Sequence, residues 1–395
     1  MDQKTAARNA RFVYIIEAFE SASWSIPIWL LFFTRQLGFS LQLAAAIGMT
    51  RWITQAICNV PTGALAGRYG RVKLYKYGQL GFALSYAPFL FTKNVPILFV
   101  VQILGGLFGS MTVGALRPVV QEAFKKADFS DQKYKHFVSN ATITSYASRL
   151  LAGVIGAWLY IKHPFMPYAL LIPSLSAAWF LSFFLREPKR AHSVNSNRKH
   201  ISDALKYAYN NKQIRLFFIG IIFLVISTES IWTAFQPYFV AREVPVALFG
   251  VLFGLVAMSS MIGAYFARKL PHKVNGLRVY LFICLNALLI SILMSLKVNW
   301  LAYVVVVTAG FAWGFIDPIN HYVIQREVDI KYQSTVLSLK SFVYTGSFAL
   351  TSIAVGFYVD HFGVETMHKI LVFQALTCLI VVFILKLLSA KKVKL

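Results

Sequence analysis

The chain has 395 residues, 57% of them hydrophobic, and a formal net charge of +24 at pH 7. It contains a succession of apolar stretches near the length of a bilayer crossing, which excludes an ordinary soluble enzyme; backbone groups in lipid must bond internally, so each stretch has to be a helix. Most of the Lys and Arg residues lie between those stretches and on one side of the membrane, which argues against nucleic acid as the partner that the charge serves.

Twelve spans are predicted in chain order, at 12–34, 41–66, 74–92, 95–122, 137–161, 165–185, 213–240, 246–267, 276–296, 300–325, 333–359 and 366–388. The first carries acids and has no small-residue cleavage site before its end, so it reads as a retained helix rather than a signal. With both termini cytoplasmic, most of the 39 Lys and Arg fall on the inner side, while Arg35, Lys93, Lys162, Arg242, Lys297 and Lys369 fall outside. That asymmetry orients the chain. A multi-pass protein of the cell membrane is expected, with anionic inner-leaflet lipid against its basic loops. Cys58, Cys284 and Cys378 all fall within spans and form neither a disulfide framework nor a metal motif.

The longest polar interval, 186–212, is basic and separates six spans from six. The expected organisation is a bundle over 1–185, a cytoplasmic linker over 186–212 and a second bundle over 213–395. Residues 201–211 have the apolar spacing of a short surface helix.

The two halves repeat one another. Gly114, Arg117 and Pro118 in span four correspond to Gly314, Asp317 and Pro318 in span ten. Glu20, Trp24 and Pro27 in span one correspond to Glu229, Trp232 and Pro237 in span seven. Such internal repeats suit alternating access around a midplane site. Pro27, Pro118, Pro237 and Pro318 are expected to kink their helices.

Charges inside spans are costly unless paired or hydrated, so each is a candidate for function. Glu17 and Glu20 share a helical face, where two carboxylates disfavour simultaneous ionisation and can share a proton. They and Glu229 are proton-coupling candidates, as are Asp317 and His321, one turn apart in span ten. Tyr14, Trp24, Trp232 and Tyr238 could line a solute cavity, the indoles offering faces to an organic cation. Arg149 is placed to pair with Glu20 or to hold an anion, and Arg51 to pair with an acid. Arg117 and Asp317, at repeated positions, could be complementary parts of a gate, and Lys340 a partner for Asp317.

The turn after span two reads Gly63-Ala64-Leu65-Ala66-Gly67-Arg68-Tyr69-Gly70-Arg71-Val72-Lys73. It resembles the signature loop of the major facilitator superfamily, G-x-L-A-D-R-x-G-R-K, through Gly63, Leu65, Ala66, Arg68, Gly70 and Arg71. The resemblance implies an all-α membrane protein of twelve transmembrane helices in two pseudo-symmetric six-helix bundles. It also implies gating roles for Arg68 and Arg71. Gly67 stands where the family has an acid that latches the halves together, so the resemblance implies a latch that is weaker or built differently. The arginine motif of span four and the Gly-Pro motif of span five, found in many drug antiporters, are both missing.

The leading expectation is a secondary transporter, a proton-coupled exporter of small amphipathic organic compounds working by alternating access. The alternatives are a proton-coupled importer of a sugar, organic acid or small peptide, and a membrane receptor or assembly factor without transport. No enzyme motif, metal site or cofactor is read from the residues. The proton is the expected coupling ion, and one chain, holding both halves, is expected to function as a monomer.

Overall fold

The computed structural model describes residues 1–188, 206–207, 209–270, 275–296, 298–328 and 333–390. The described residues are helical, and their contacts divide into two compact units, residues 1–32 with 50–196, and residues 33–49 with 197–395.

The first unit opens with α1 (Gln3–Ser21). Its buried positions Ala6, Asn9, Ala10, Val13, Ile16 and Glu17 follow the three-and-four spacing of one helical face. The helix thus starts nine residues before the apolar span predicted at 12, because burial here follows a stripe and not average hydropathy. Asn9 fixes this end by donating to the Arg186 carbonyl at 2.8 Å and accepting from the Arg186 amide at 3.2 Å. Beyond Ser21 the span loses α-helical regularity, passing through a 3-10 turn at Ile26–Ile28 with Pro27 as its second residue and a π segment at Phe32–Gln36.

The helices that follow are α2 (Leu41–Tyr69), α3 (Arg71–Leu84), α4 (Val95–Thr112), α5 (Leu116–Lys126), α6 (Asp131–Lys162) and α7 (Met166–Leu181). The predicted fourth span is therefore two helices. It breaks at Gly114, whose φ of +67° is costly for a residue with a Cβ. Pro118 sits in the first turn of α5, where a missing N–H costs nothing, so it starts a helix rather than kinking one.

The second unit contains α8 (Lys212–Ala241), α9 (Phe249–Arg268), α10 (Gly276–Ser295), α11 (Leu301–Trp313), α12 (Ile316–Glu327), α13 (Gln333–Phe362) and α14 (Met367–Ala390). The break between α11 and α12 falls at Gly314, in sequence register with Gly114 but for a different reason. Its φ is an ordinary −57°, and a Cβ there would lie 2.2 Å from the Ser260 carbonyl oxygen of α9. Pro318 again falls in the first turn of the restarted helix, whereas Pro237 lies inside the continuous α8.

The start of α2 clusters with the second unit through Asp360, near the end of α13. Its two carboxylate oxygens accept the Leu41 and Gln42 amides, each at 2.8 Å. An anion at a helix N-terminus satisfies orphan donors and opposes the helix dipole favourably.

Nine helical segments, among the described residues, are long and apolar enough to cross a membrane. Helices α2 and α6 fall outside that set because their polar side chains, Arg51 and Gln55 in one and Thr142, Ser145 and Arg149 in the other, lower their hydropathy. Those same side chains turn toward a cavity.

Backbone approach in the first unit is tightest at Gly156 of α6, where a Cβ would stand 2.0 Å from the Trp24 carbonyl oxygen. Backbone cannot swing aside as a flexible side chain can. Gly156→Ala is expected to cost about 1–3 kcal/mol by overpacking and to lower the melting temperature in detergent. Gly346→Ala, at a helical position with nothing within 4 Å, is expected to leave it unchanged or raised.

Candidate functional site

The described cavity of the first unit has a volume of about 560 Å³ and is walled by α1, α2, α4, α5 and α6 with parts of α3 and α7. The break after Ser21 ends α1 beside it, and the break at Gly114 lets α5 restart at its wall with Arg117 in the first turn. Glu17, Glu20, Arg51, Arg117 and Arg149 all face it.

Glu17 is only 8% exposed, and its charge is answered in full. Arg117 donates from Nε to one carboxylate oxygen and from Nη2 to the other, both at 2.8 Å. This parallel fork is the strongest geometry available to the pair. Ser145 donates to the same carboxylate at 3.2 Å, and Arg117 reaches the Thr142 hydroxyl at 3.4 Å. The arginine expected to complement Asp317 is thus committed to an acid of its own unit.

Glu20 accepts a hydrogen bond from the Tyr75 hydroxyl at 2.8 Å. Tyr75 is fully buried in α3, so its hydroxyl needs this acceptor. Arg149 therefore does not hold Glu20. It lies 5.9 Å from the Tyr146 ring and has no carboxylate within ion-pair distance among the described residues. Arg51 likewise has no acid within ion-pair distance among the described residues. It donates to the Tyr86 hydroxyl at 2.7 Å and packs its guanidinium 4.7 Å from the Trp52 ring and 5.6 Å from the Phe82 ring.

The remaining first-unit candidates stand elsewhere. Trp24 donates from its indole to Ser174 at 2.9 Å while its carbonyl abuts Gly156, and Tyr14 packs on Phe137 with ring centroids 5.1 Å apart. The backbone of Arg68 lies in the last turn of α2, and its side chain lies outside the described residues. Arg71 opens α3 behind Gly70, whose φ is +96°. The Arg71 and Val72 amides donate to the Glu187 carboxylate at 2.7 and 3.2 Å.

In the second unit Glu229 accepts from the Tyr344 hydroxyl of α13, so the acid repeated from Glu20 again meets a tyrosine. One turn along α8, Thr233 bonds Ser352 at 2.8 Å, and Ser230 donates to Gln374 at 2.7 Å. Trp232 sits among aromatic rings, 5.0 Å from Phe253 and 5.6 Å from Trp313. The Tyr238 hydroxyl is buried, with the Arg242 guanidinium 5.4 Å from its ring. Lys340 is buried in α13; the side chains of Asp317 and His321 lie outside the described residues, as do residues 201–205 of the expected surface helix. Among the described residues, no three His, Cys, Asp or Glu side chains gather as metal ligands do.

Sequence reasoning missed Tyr75, Tyr86, Ser145, Glu187 and Tyr344. Glu187 alone carried a signal, as one of two acids in a strongly basic interval. The hydroxyls looked like ordinary residues of apolar helices.

A family model described as Major Facilitator Superfamily matches residues 12–352. An uncharacterized MFS-type transporter of Bacillus subtilis (strain 168), YxaM, is 23% identical over 245 residues, which are 60% of this chain and 59% of that protein. The match thus spans less than two thirds of that relative's length. The nucleoside transporter NupG superposes with a TM-score of 0.79 at 14% identity, over 98% of this chain and all of its own. A variant of the peptide transporter POT superposes with a TM-score of 0.77 at 13% identity, over 99% of this chain and 98% of its own. At such identities the likeness speaks for the fold.

Proposed function

We propose that this chain, which belongs to the major facilitator superfamily, is a proton-coupled secondary transporter of small organic solutes that works by alternating access. It is a multi-pass membrane protein and a transporter of that superfamily. Its substrate and its coupling are our own reading. So are its place in the cell membrane with both termini cytoplasmic, its contact with anionic lipid, and its sufficiency as a monomer.

The observation that carries the reading is the Glu20–Tyr75 contact on the cavity of the first unit. A carboxylic acid that faces a solute cavity inside a membrane span can take a proton from one side and release it to the other as access changes. Tyr75 gives the ionised carboxylate a donor, so neither protonation state is left without a partner. Glu17 is less suited to that role, because both of its carboxylate oxygens are already engaged by Arg117 in a structural pair. Glu229 with Tyr344 supplies a second acid of the same kind. Solute or proton binding shifts the balance between the two access states only by as much as its affinity differs between them.

The test uses purified protein in liposomes that enclose a pH-sensitive dye. Solutes that undergo counterflow through the protein are offered one at a time from a panel of cationic, neutral and permanently charged anionic compounds. The expected result is a pH change inside protein-containing vesicles, missing from empty ones, for the solutes that move. Counterflow without any pH change would overturn proton coupling. A panel that moves not at all through folded protein would overturn small-solute transport of these classes.

A further inference from the structure

We infer that the cavity of the first unit binds an organic anion, and that Arg51 and Arg149 are the groups that hold its oxyanion. The inference rests on the reading of the chain as a solute transporter and names the chemical class of that solute.

Three guanidinium groups and two carboxylates face the cavity. The carboxylates are already engaged: Glu17 by Arg117 and Ser145, Glu20 by Tyr75. Arg117 is the one arginine of the three that faces an acid within ion-pair distance, among the described residues. Arg51 has a phenol and two aromatic rings, and Arg149 a single ring at 5.9 Å. Each guanidinium carries five donors in a fixed fork, so one bond to Tyr86 leaves most of Arg51 unspent.

A cationic group inside a membrane span is costly unless it is paired or hydrated. Among the described residues no carboxylate answers these two, so the cavity presents two cations that an anionic solute would neutralise. Arginine is suited to that task because its planar fork meets a carboxylate or a phosphate with two parallel bonds. The cavity volume of about 560 Å³ lies in the range that encloses a small organic molecule rather than a bare ion. Trp52 and Phe82 stand beside the Arg51 guanidinium on the same wall, offering an apolar surface to the body of the anion.

The aromatic residues first expected to meet an organic cation do not compete with this reading. Trp24 is held by Ser174 and Gly156, and Trp232 is packed among Phe253 and Trp313.

The experiment measures binding to the purified full chain by titration calorimetry, with benzoate, phenyl phosphate and the neutral isostere benzamide as probes. At least one of the two anions is expected to bind and benzamide to bind far more weakly. Arg51→Gln and Arg149→Gln are each expected to weaken anion binding tenfold or more and to leave the weak benzamide signal unmoved. Tighter binding of benzoate would assign a carboxylate, and tighter binding of phenyl phosphate a phosphate monoester. Arg51→Lys keeps the charge without the fork; recovery of part of the lost affinity would separate ligand contact from a folding defect, which circular dichroism also reads. Failure of both anions to bind, or binding that survives both Gln variants, would overturn the anion site. Proton-coupled flux of a neutral solute at full rate in the Gln variants would overturn it too and leave the transporter reading standing. Anion binding without flux of any solute would do the reverse.

Discussion

Glu20→Gln is expected to abolish solute accumulation driven by a proton gradient, down to the level of empty liposomes, while solute exchange without a gradient continues. Gln is close in shape, and its amide oxygen can still accept the bond that Tyr75 donates at 2.8 Å. What it cannot do is exchange a proton. Loss of accumulation with retained exchange is therefore a loss of coupling and not of binding or folding. Tyr75→Phe approaches the same site from the other partner. It leaves the carboxylate ionisable but without its donor, so accumulation should persist with an altered dependence on pH. Both variants are read in one assay, tracer uptake with an imposed gradient beside counterflow without one. Full accumulation in Glu20→Gln would move the coupling role elsewhere, with Glu229 and its bond from Tyr344 as the next acid to replace.

The fold was largely legible because lipid leaves the chain so little choice. The seventh span, read at 213–240, is the helix Lys212–Ala241, and the ninth, read at 276–296, is Gly276–Ser295. Hydropathy failed where a helix answers to something other than lipid. The first ten residues of α1 are polar on average, yet bury a stripe of Ala6, Asn9 and Ala10. The fourth and tenth spans read as single helices because a positive φ at Gly114 and a close backbone approach at Gly314 leave hydropathy untouched.

Which charges fall inside apolar helices was visible in the sequence, since an ion there stands out. Which charges meet was not. The repeat set Arg117 beside Asp317 as matched positions, but a repeat relates equivalent places in two bundles and says nothing of neighbours within one. Arg117 meets Glu17, one hundred residues earlier in the chain, because α1 packs beside α5. Tyr75 and Tyr344 could not be singled out among 19 tyrosines until the helices that face them were in place.

The Glu17–Arg117 pair yields the largest expected effect on stability. Its two parallel bonds at 2.8 Å join α1 to the first turn of α5, just after the break at Gly114, and Ser145 and Thr142 add further hydrogen bonds. Removing one member of a buried pair strands the other charge, at about 3–5 kcal/mol when both are fully buried. The Glu17 side chain is 11% exposed and that of Arg117 37%, so cavity water softens the loss to roughly 2–3 kcal/mol. Glu17→Gln and Arg117→Gln should each lower the melting temperature in detergent by several degrees. The double variant should lose less than the two single losses added, because neither charge is then stranded. Strict additivity would mean that the pair contributes no coupling energy and that the two residues act through separate neighbours. A double variant that is stable yet inactive would instead give the pair a part in the transport cycle, as the ion pair that fixes α1, and with it Glu20, against the cavity.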